Sequence, residues 1–153
     1  GLLMETSAEI RDRLRNLFES QKLAVVATQT GGQPYASLVA FVATDDLRHI
    51  FFVTARTTRK FSNLRSNPRV AVLVNSGINQ ESDFHDAISI TVTGSAEEIK
   101  DPERQAFLEL YLSKHPYLED FARSPSCAFV RVAARSYYMV QNFQSVMEFH
   151  IDQ

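Results

Sequence analysis

The sequence has a single cysteine, Cys127, and only five glycines and five prolines among its 153 residues. One cysteine makes an intramolecular disulfide impossible, and it excludes a cysteine-rich zinc site and a secreted disulfide scaffold. So few glycines and prolines exclude a collagenous or low-complexity chain. The length is that of one domain with a sizeable core, so we expect a single domain over residues 1–153.

Long apolar runs and an excess of one charge are also missing. No stretch approaches the roughly 18 consecutive apolar residues of a membrane span, and no signal peptide is visible. Lys and Arg total 16 against 18 Asp and Glu, so bulk attraction to nucleic acid or acidic lipid is not indicated. We expect a cytoplasmic protein without a nucleic-acid or membrane partner, in which residues 1–6 are disordered or were added by cloning.

Hydrophobic spacing predicts one amphipathic helix followed by a series of strands. Apolar residues recur at helical spacing behind a capping box at residues 6–9, which indicates a helix over residues 7–20. Gly31 and Gly32 can supply the positive φ of a hairpin, and Gly94 marks a bulge or close packing. The predicted strands are 23–28, 34–43, 49–54, 69–75, 88–99, 128–134, 137–140 and 146–151.

Shorter helices are predicted between the later strands. Asp101 caps one of them, with Pro102 at its first position, and residues 117–122 form a short helix or turn. Residues 76–85 are polar and form an exposed loop. Because strands outnumber helices and tight turns join consecutive strands, the sequence predicts a mostly β fold, a closed antiparallel barrel with peripheral helices.

The segment 51–61 is the most informative part of the chain for function. The strand at the start of this segment is apolar at consecutive positions, which indicates burial on both faces. It leads into a helix that Thr57 or Thr58 can cap. A helix N-terminus offers unpaired N–H groups and a partial positive charge, so this position suits a phosphate. In the alternative interpretation the threonine only caps the helix and solvent surrounds the cations. The three cations at this helix start are Arg56, Arg59 and Lys60.

The order of elements over residues 51–74 resembles the FMN-binding split barrel of the pyridoxamine 5'-phosphate oxidase-like superfamily. Members typically show an aromatic strand ending in threonine, here Thr54, and then a Thr58-Arg59-Lys60 step. A helix ending in Asn67-Pro68 and an apolar strand follow. The resemblance extends over about residues 7–140. It implies a six-stranded antiparallel split β-barrel of the FMN-binding type and a flavoprotein that oxidises or reduces a small molecule.

The resemblance also implies a homodimer with one FMN at each subunit interface. The strand after the first hairpin would lie against the flavin through its backbone, and Arg59 and Lys60 would hold the phosphate. Because the flavin ring supplies the redox chemistry, no residue is named as acid or base. The implied cofactor-binding residues are Ser37, Leu38, Val39, Ala40, Thr54, Thr58, Arg59, Lys60 and Ser89.

The sequence departs from true pyridoxamine phosphate oxidases at positions that would contact substrate. Ser37 stands in place of an Arg, Val42 in place of a Lys and Ser89 in place of a Gln. The chain also has no Trp for the C-terminal contacts of those enzymes. The substrate therefore stays unidentified. Two alternatives remain open: a non-catalytic module that holds flavin, deazaflavin or haem for storage or sensing, and a barrel that has lost its cofactor.

The other candidate residues are interpreted mainly as structural or solvent-exposed. None of the four histidines has the spacing of metal ligands, so no metal site is expected. His85 lies in the polar loop, where a solvated side chain is favoured over a metal or proton-transfer role. His150 is a candidate haem ligand, because some relatives in this superfamily bind haem. Tyr137 and Phe143 are interpreted as core or interface residues, and residues 141–144 could cover a neighbouring site.

Overall fold

The computed structural model describes residues 7–143 and 145–151, so the predictions for residues 1–6 and Gln144 lie outside the described residues. Helix α1 and strands β4 and β5 have the predicted bounds, and Gly31 and Gly32 adopt positive φ in the first hairpin as expected. The strands are β1 (Leu23–Thr30), β2 (Gln33–Ala43), β3 (His49–Ala55), β4 (Arg69–Asn75), β5 (Ile88–Ile99), β6 (Cys127–Gln141) and β7 (Ser145–His150). The helices are α1 (Ser7–Ser20), α2 (Arg59–Ser66), α3 (Asp83–Asp86), α4 (Glu103–Lys114) and α5 (Glu119–Arg123), with a 3₁₀ turn at Pro116–Leu118.

Six strands close into a barrel because β3 pairs along both of its edges. The hydrogen-bonded order is β3-β2-β1-β4-β5-β6, and β6 returns to β3 with His49 opposite Ala133 and Ala55 opposite Cys127. All of these pairs are antiparallel. The structure confirms the mostly β fold with peripheral helices and the six-stranded antiparallel barrel.

One long strand, β6, replaces the two strands predicted at 128–134 and 137–140. Its first half pairs with β3, and its second half pairs with β7, the strand predicted at 146–151. Strand β5 pairs with both halves, and its register shifts between Thr93 and Gly94, opposite Arg135. The bulge interrupts the alternation of buried and exposed side chains, which is why the pattern indicated two strands.

Apolar side chains fill the barrel and also form a second layer outside it. Phe51 and Phe52 are neighbours on β3, and both are fully buried. Phe52 belongs to the cluster inside the barrel, whereas Phe51 stacks on Phe129 at 5.4 Å outside it, beside Tyr111 of α4. This two-sided burial confirms the interpretation of the continuous apolar run. The helices thus cover one end of the outer face of β2, β3 and β6.

Helix α4 begins at Glu103, one residue later than predicted. Pro102 occupies the flanking position, and the amide of Arg104 donates to the carbonyl of Lys100 at 3.0 Å. Asp101 does not cap the helix, because backbone carbonyls serve the first amides instead of its side chain. The loop predicted at 76–85 is interrupted by α3. Among the described residues, no helix is long and apolar enough to cross a membrane.

Candidate functional site

The junction between β3 and α2 is held by two threonine hydroxyls. Thr54 is buried at the end of β3, and its Oγ1 lies 2.9 Å from Oγ1 of Thr58. The Thr58 hydroxyl donates to the carbonyl of Ala55 at 2.9 Å and accepts from the amide of Phe61 at 3.2 Å. Thr58, rather than Thr57, is therefore the N-cap of α2, and it fixes where the amides of the first turn point.

The three cations of this segment have different environments. Arg56 forms a two-pronged ion pair with Glu98 at 3.0 and 2.7 Å and donates to the carbonyl of Pro125 at 3.1 Å. Lys60 is half-buried with Nζ 3.5 Å from Thr54 Oγ1, and burial lowers the pKa of its amine. Arg59 is exposed, and its guanidinium lies 5.9 Å from the centre of the Tyr35 ring. Arg56 is thus neutralised, whereas Arg59 and Lys60 can serve an anion.

An open groove of about 600 Å³ runs between the β1–β2 hairpin and the start of α2. One wall is the hairpin tip and the other is the cap and first turns of the helix. The helix start and the Arg59 guanidinium make the groove favourable for a negative group. The lining residues are Thr30, Gln33, Pro34, Tyr35, Thr57, Thr58, Arg59, Ser62 and Asn63.

Asn63 holds the two walls of this groove together, and the sequence interpretation missed it. Its Nδ2 donates to Thr28 Oγ1 at 3.1 Å, and its Oδ1 accepts from Thr30 Oγ1 at 2.7 Å. Asn63 is buried on the inner side of α2 next to Leu64. The one signal in the sequence is Thr28, which is polar at an inward position of β1 where Ala24 and Val26 precede it. A buried hydroxyl at such a position needs a polar partner.

Strand β2 presents an open backbone edge beside the groove. Residues 33–40 pair with β1, but β3 pairs with β2 only from Phe41 onwards. The amide of Phe41 donates to the carbonyl of Lys22 on the β1 side. Because alternate residues of a strand direct their backbone groups to opposite edges, those of Leu38 point away from β1, towards the open edge. A contact through the backbone of Leu38 is therefore sterically available, whereas Ser37 and Val39 direct their backbone groups towards β1.

The predicted residues on β2 differ in their burial. Val39 faces the barrel interior, whereas the Leu38 side chain is 62% exposed on the outer surface. The hydroxyl oxygen of Ser37 is buried without a hydrogen-bond partner in the described structure. The Ala40 carbonyl accepts from the Tyr111 hydroxyl at 3.3 Å, which braces this strand against α4.

Ser89 lies apart from the other predicted residues. It is the second residue of β5, opposite Asn75, at the far end of β4 from α2. There it lines a separate cavity of about 250 Å³, together with Leu73, Val140 and Phe143. Thr54, Thr58 and Lys60 meet at the β3–α2 junction, and Thr58 and Arg59 line the groove. Residues 37–40 follow the groove-lining part of β2, and neither they nor Ser89 are among the groove's described lining residues.

The remaining candidates have structural partners. His150 Nδ1 lies 2.6 Å from Ser136 Oγ, and its Nε2 lies 3.5 Å from a Glu148 carboxylate oxygen. Cys127 is buried in the layer outside the barrel, and Tyr137 is buried with its hydroxyl donating to Leu47. Residues 7–143 and 145–151 contain no cluster of three or more His, Cys, Asp or Glu side chains that could hold a metal ion.

A larger groove of about 1090 Å³ lies elsewhere, between α1, the β2–β3 turn and α4. Its charges are mixed, because Arg15 is paired with Asp12 at 2.8 Å and donates to the Asp45 carbonyl at 2.8 Å. Lys114 donates to the Phe18 carbonyl at 2.7 Å, and burial lowers its pKa to about 8. None of the predicted cofactor-binding residues lines this groove, so size alone does not mark the functional site.

Comparison with known proteins identifies the family and the fold. Residues 10–141 match the family model described as pyridoxamine 5'-phosphate oxidase. No curated protein matches the sequence. Among solved structures, a haem-binding protein from Mycobacterium smegmatis superposes with a TM-score of 0.82 at 16% identity, over 97% of this chain and 60% of that one.

Two further structures have similar length and the same fold. General stress protein 26 from Bacillus anthracis superposes with a TM-score of 0.71 at 16% identity, over 93% of this chain and 98% of that one. An FAD-binding protein from Mesorhizobium loti superposes with a TM-score of 0.66 at 19% identity, over 81% and 88%. At these identities the likeness concerns the fold.

Proposed function

The chain belongs to the pyridoxamine 5'-phosphate oxidase family, and on that basis we propose that it binds FMN and acts as an oxidoreductase on a small molecule. The observation that carries this proposal is the β3–α2 junction. There, Thr58 caps a helix start that carries Arg59 and Lys60, and it lines a groove of about 600 Å³ together with the first residues of β2. When bound, FMN would supply the electron transfer, and the protein would position the reactants.

The phosphate of FMN would lie at the start of α2. Arg59 offers a forked set of donors to phosphate oxygens, and the Thr57 hydroxyl faces the same groove. Lys60 is half-buried beside Thr54, and a nearby dianion would raise its pKa back towards the ordinary range. Arg56 takes no part in this site, because Glu98 and Pro125 occupy its donors.

The flavin ring would lie along the open edge of β2. The backbone groups of Leu38 can hydrogen-bond to a polar ring edge there, since none of the described strands pairs with that part of β2 on this side. The carbonyl of Ala40 is already bonded to Tyr111, so this bond holds the strand in place for the ring. The residues present therefore fit a flavin phosphate ester.

A homodimer is part of the proposal. Leu38, Val25 and Leu73 lie in one row across β2, β1 and β4, and Leu38 and Leu73 are 62% and 37% exposed. Exposed leucines on either side of a partly exposed valine form an apolar patch on this sheet face, and such a patch can mark a protein interface. A second copy on this face would bury them. Because Leu73 also lines the cavity that contains Ser89, that cavity would then adjoin the interface.

A non-catalytic haem- or flavin-binding module is the second candidate, because the haem-binding protein has the same fold. His150 is a weak ligand for haem in this chain, because Ser136 and Glu148 engage its ring nitrogens. FMN is therefore favoured over haem, and deazaflavin would use the same phosphate site.

The first experiment is to purify the protein without added cofactor, record its visible spectrum and identify any chromophore released on denaturation. FMN and riboflavin are then titrated into the apoprotein. We expect FMN to bind more tightly than riboflavin, which lacks the phosphate. The Arg59→Ala/Lys60→Ala double variant should weaken FMN binding by roughly 100-fold or more, since hydrogen bonds to charged groups contribute about 1.5–3 kcal/mol each.

The matched control is Arg65→Ala, which removes a cation from the last turn of the same helix. It should leave FMN affinity within about twofold, because an exposed charge away from the phosphate contributes little. Equal affinity for FMN and riboflavin in the wild type would overturn the phosphate assignment. A Soret band in the purified protein would favour the haem-binding module, and failure to bind either flavin would remove the support for an oxidoreductase.

A further inference from the structure

The cavity next to Ser89 has the shape and lining of a small binding site. Leu73, Ile88 and Val140 line its apolar walls, and the Phe143 ring stands at its edge. The Phe84 ring lies 5.5 Å from that of Phe143 at an angle of 53°. Both rings are mostly exposed, at 60% and 64% of their surfaces. Two exposed aromatic rings beside an apolar cavity mark a surface that can gain contacts from a ligand.

The loop that carries Phe84 is organised without a ligand. Both carboxylate oxygens of Asp83 accept backbone amides, from Ile78 at 3.0 Å, Asn79 at 2.7 Å and Gln80 at 3.2 Å. These bonds hold the pKa of the Asp83 carboxyl below its usual range. The loop before α3 is therefore fixed on an ionised carboxylate, and Phe84 follows it directly.

The turn that carries Phe143 is held in an uncommon backbone conformation. Asn142 and Phe143 have φ of 53° and 56°, in the left-handed region. A bulky side chain such as that of phenylalanine rarely adopts this region, because it costs about 1–2 kcal/mol. The conformation places the aromatic ring of Phe143 against that of Phe84.

The charge of the lining limits what this cavity can accept. Among the residues that the structure describes, the lining includes the ionised Asp83 but neither Lys nor Arg. An anionic ligand would find no counterion there and would meet a negative charge, whereas a neutral ring would lose little on desolvation. Ser89 and Asn75 add polar groups on one wall. The volume of about 250 Å³ is below that of typical sites for drug-sized ligands, about 300–1,000 Å³.

We propose that this cavity binds a flat, uncharged molecule of one or two aromatic rings, and that such a molecule is the substrate of the flavin site. The second half rests on the proposed function, in which the row of Leu38, Val25 and Leu73 forms the dimer interface. Because Leu73 also lines the cavity, an aromatic molecule held there against Phe143 would lie at this interface. Leu38 of the same row belongs to the β2 edge along which the flavin would lie.

The test uses 2-naphthol as a neutral probe and 2-naphthoate as its anionic counterpart, titrated by calorimetry into the full-length apoprotein. We expect 2-naphthol to bind at least tenfold more tightly than 2-naphthoate. Phe143→Ala should weaken 2-naphthol binding about fivefold to tenfold, as expected for loss of one aromatic contact. Phe84→Ala should weaken it by a similar factor, because Phe143 then loses the ring that packs against it. Phe121→Ala is the matched control, since that ring is exposed on α5, and it should leave the affinity unchanged.

Three results would overturn the binding site: no 2-naphthol binding at millimolar concentration, equal binding of 2-naphthoate, or binding that neither phenylalanine change weakens. Thermal unfolding of each variant guards against loss of fold, and Phe143→Leu should retain more affinity than Phe143→Ala. The substrate assignment is tested separately in FMN-loaded protein, where saturation with 2-naphthol should shift the flavin absorption bands. An unchanged flavin spectrum would overturn that assignment, and failure of FMN to bind would count against the proposed function alone.

Discussion

The hydroxyl of Thr30 donates a 2.7 Å hydrogen bond to Oδ1 of Asn63, and this bond joins the tip of the first hairpin to helix α2. The two residues are 33 positions apart, and they form opposite walls of the candidate cofactor groove. The same side chain reaches Thr28 through its amide nitrogen. One buried side chain thus sets the width of the groove.

Replacement of Asn63 by alanine tests this relationship. The change leaves two threonine hydroxyls without their partner inside the protein, and each lost buried bond costs about 1–3 kcal/mol. At the lower bound of about 2 kcal/mol for the two bonds, we expect the melting temperature to fall by at least about 4–8 °C, at roughly 2–4 °C per kcal/mol for a chain of this length. FMN binding should weaken as well. Ser62→Ala, an exposed neighbour on the same helix, is the control, and an equal effect of both changes would contradict the role of Asn63.

The absence of a side chain at Gly94 is a requirement of the bulge between β5 and β6. A Cβ at this position would lie 2.2 Å from the carbonyl oxygen of Ala133, which is part of a fixed backbone. We expect Gly94→Ala to destabilise the protein by about 2–4 kcal/mol through forced displacement of β6. Gly77→Ala serves for comparison, because its Cβ would meet the movable side chain of Asn75 at 2.9 Å. Urea unfolding that shows equal loss for both variants would argue against a backbone clash.

Local patterns explain what the sequence predicted correctly. Helix α1 has the predicted bounds because the apolar residues that define it recur at helical spacing within one short segment of the chain. Strands β4 and β5 alternate regularly between turn residues, so their bounds could also be predicted. The Thr58 cap depends on a hydroxyl and an amide three residues apart. Each of these features depends on residues close together in the chain.

Long-range contacts explain what the sequence did not predict. The sequence made Arg56 a candidate to bind an anion, but in the fold it pairs with Glu98, which is 42 residues away. The sequence indicated a bulge or close packing at Gly94, which the register shift confirms, but it did not show that one continuous strand, β6, pairs across this bulge. The groove itself depends on Asn63 meeting Thr30 across the fold. The spacing of residues along the chain carries no information about these long-range contacts.

Two serines differ in whether their hydroxyl group has a hydrogen-bond partner, and they therefore form a matched pair for a test of stability. The Ser37 hydroxyl oxygen is buried without a partner among the described residues, whereas Ser136 Oγ lies 2.6 Å from His150 Nδ1. Removal of an unsatisfied buried hydroxyl removes a desolvation cost, so Ser37→Ala should raise the unfolding free energy by about 0.5–1.5 kcal/mol. Ser136→Ala should lower it by about the same amount. A loss of stability in Ser37→Ala would show that its hydroxyl has a partner in solution.

If the proposed dimer forms through the apolar row on β2, β1 and β4, a charged residue in that row should change the mass of the protein in solution from dimer to monomer. The wild-type protein should sediment at twice the 17.3 kDa of one chain. Leu38→Glu places a carboxylate at the β2 end of the row and should give a monomer with weaker FMN binding, because a buried unpaired charge is strongly unfavourable at an interface. Leu110→Glu, on the exposed side of α4, should remain dimeric. A monomeric wild type would exclude the dimer.

The half-buried amine of Lys114 makes stability depend on pH in a direction that can be worked out. Burial lowers its pKa from 10.5 to about 8 in the folded protein, so the unfolded chain binds more protons between these two values. Stability due to this group therefore rises as the pH increases from about 8 to 10.5, and the full penalty is present below pH 8.

In Lys114→Met that rise is absent. The unfolding free energy of the wild type relative to this variant should grow by about 1–2 kcal/mol between pH 7.5 and 9.5, after allowance for partial solvent screening. Lys100→Met, which removes an exposed lysine, should track the wild type at every pH. Because Tyr111 and Tyr137 titrate alike in all three proteins, the differences isolate Lys114. Parallel curves for wild type and Lys114→Met would mean that the bond to the Phe18 carbonyl and the Phe41 ring 3.9 Å away keep this amine protonated.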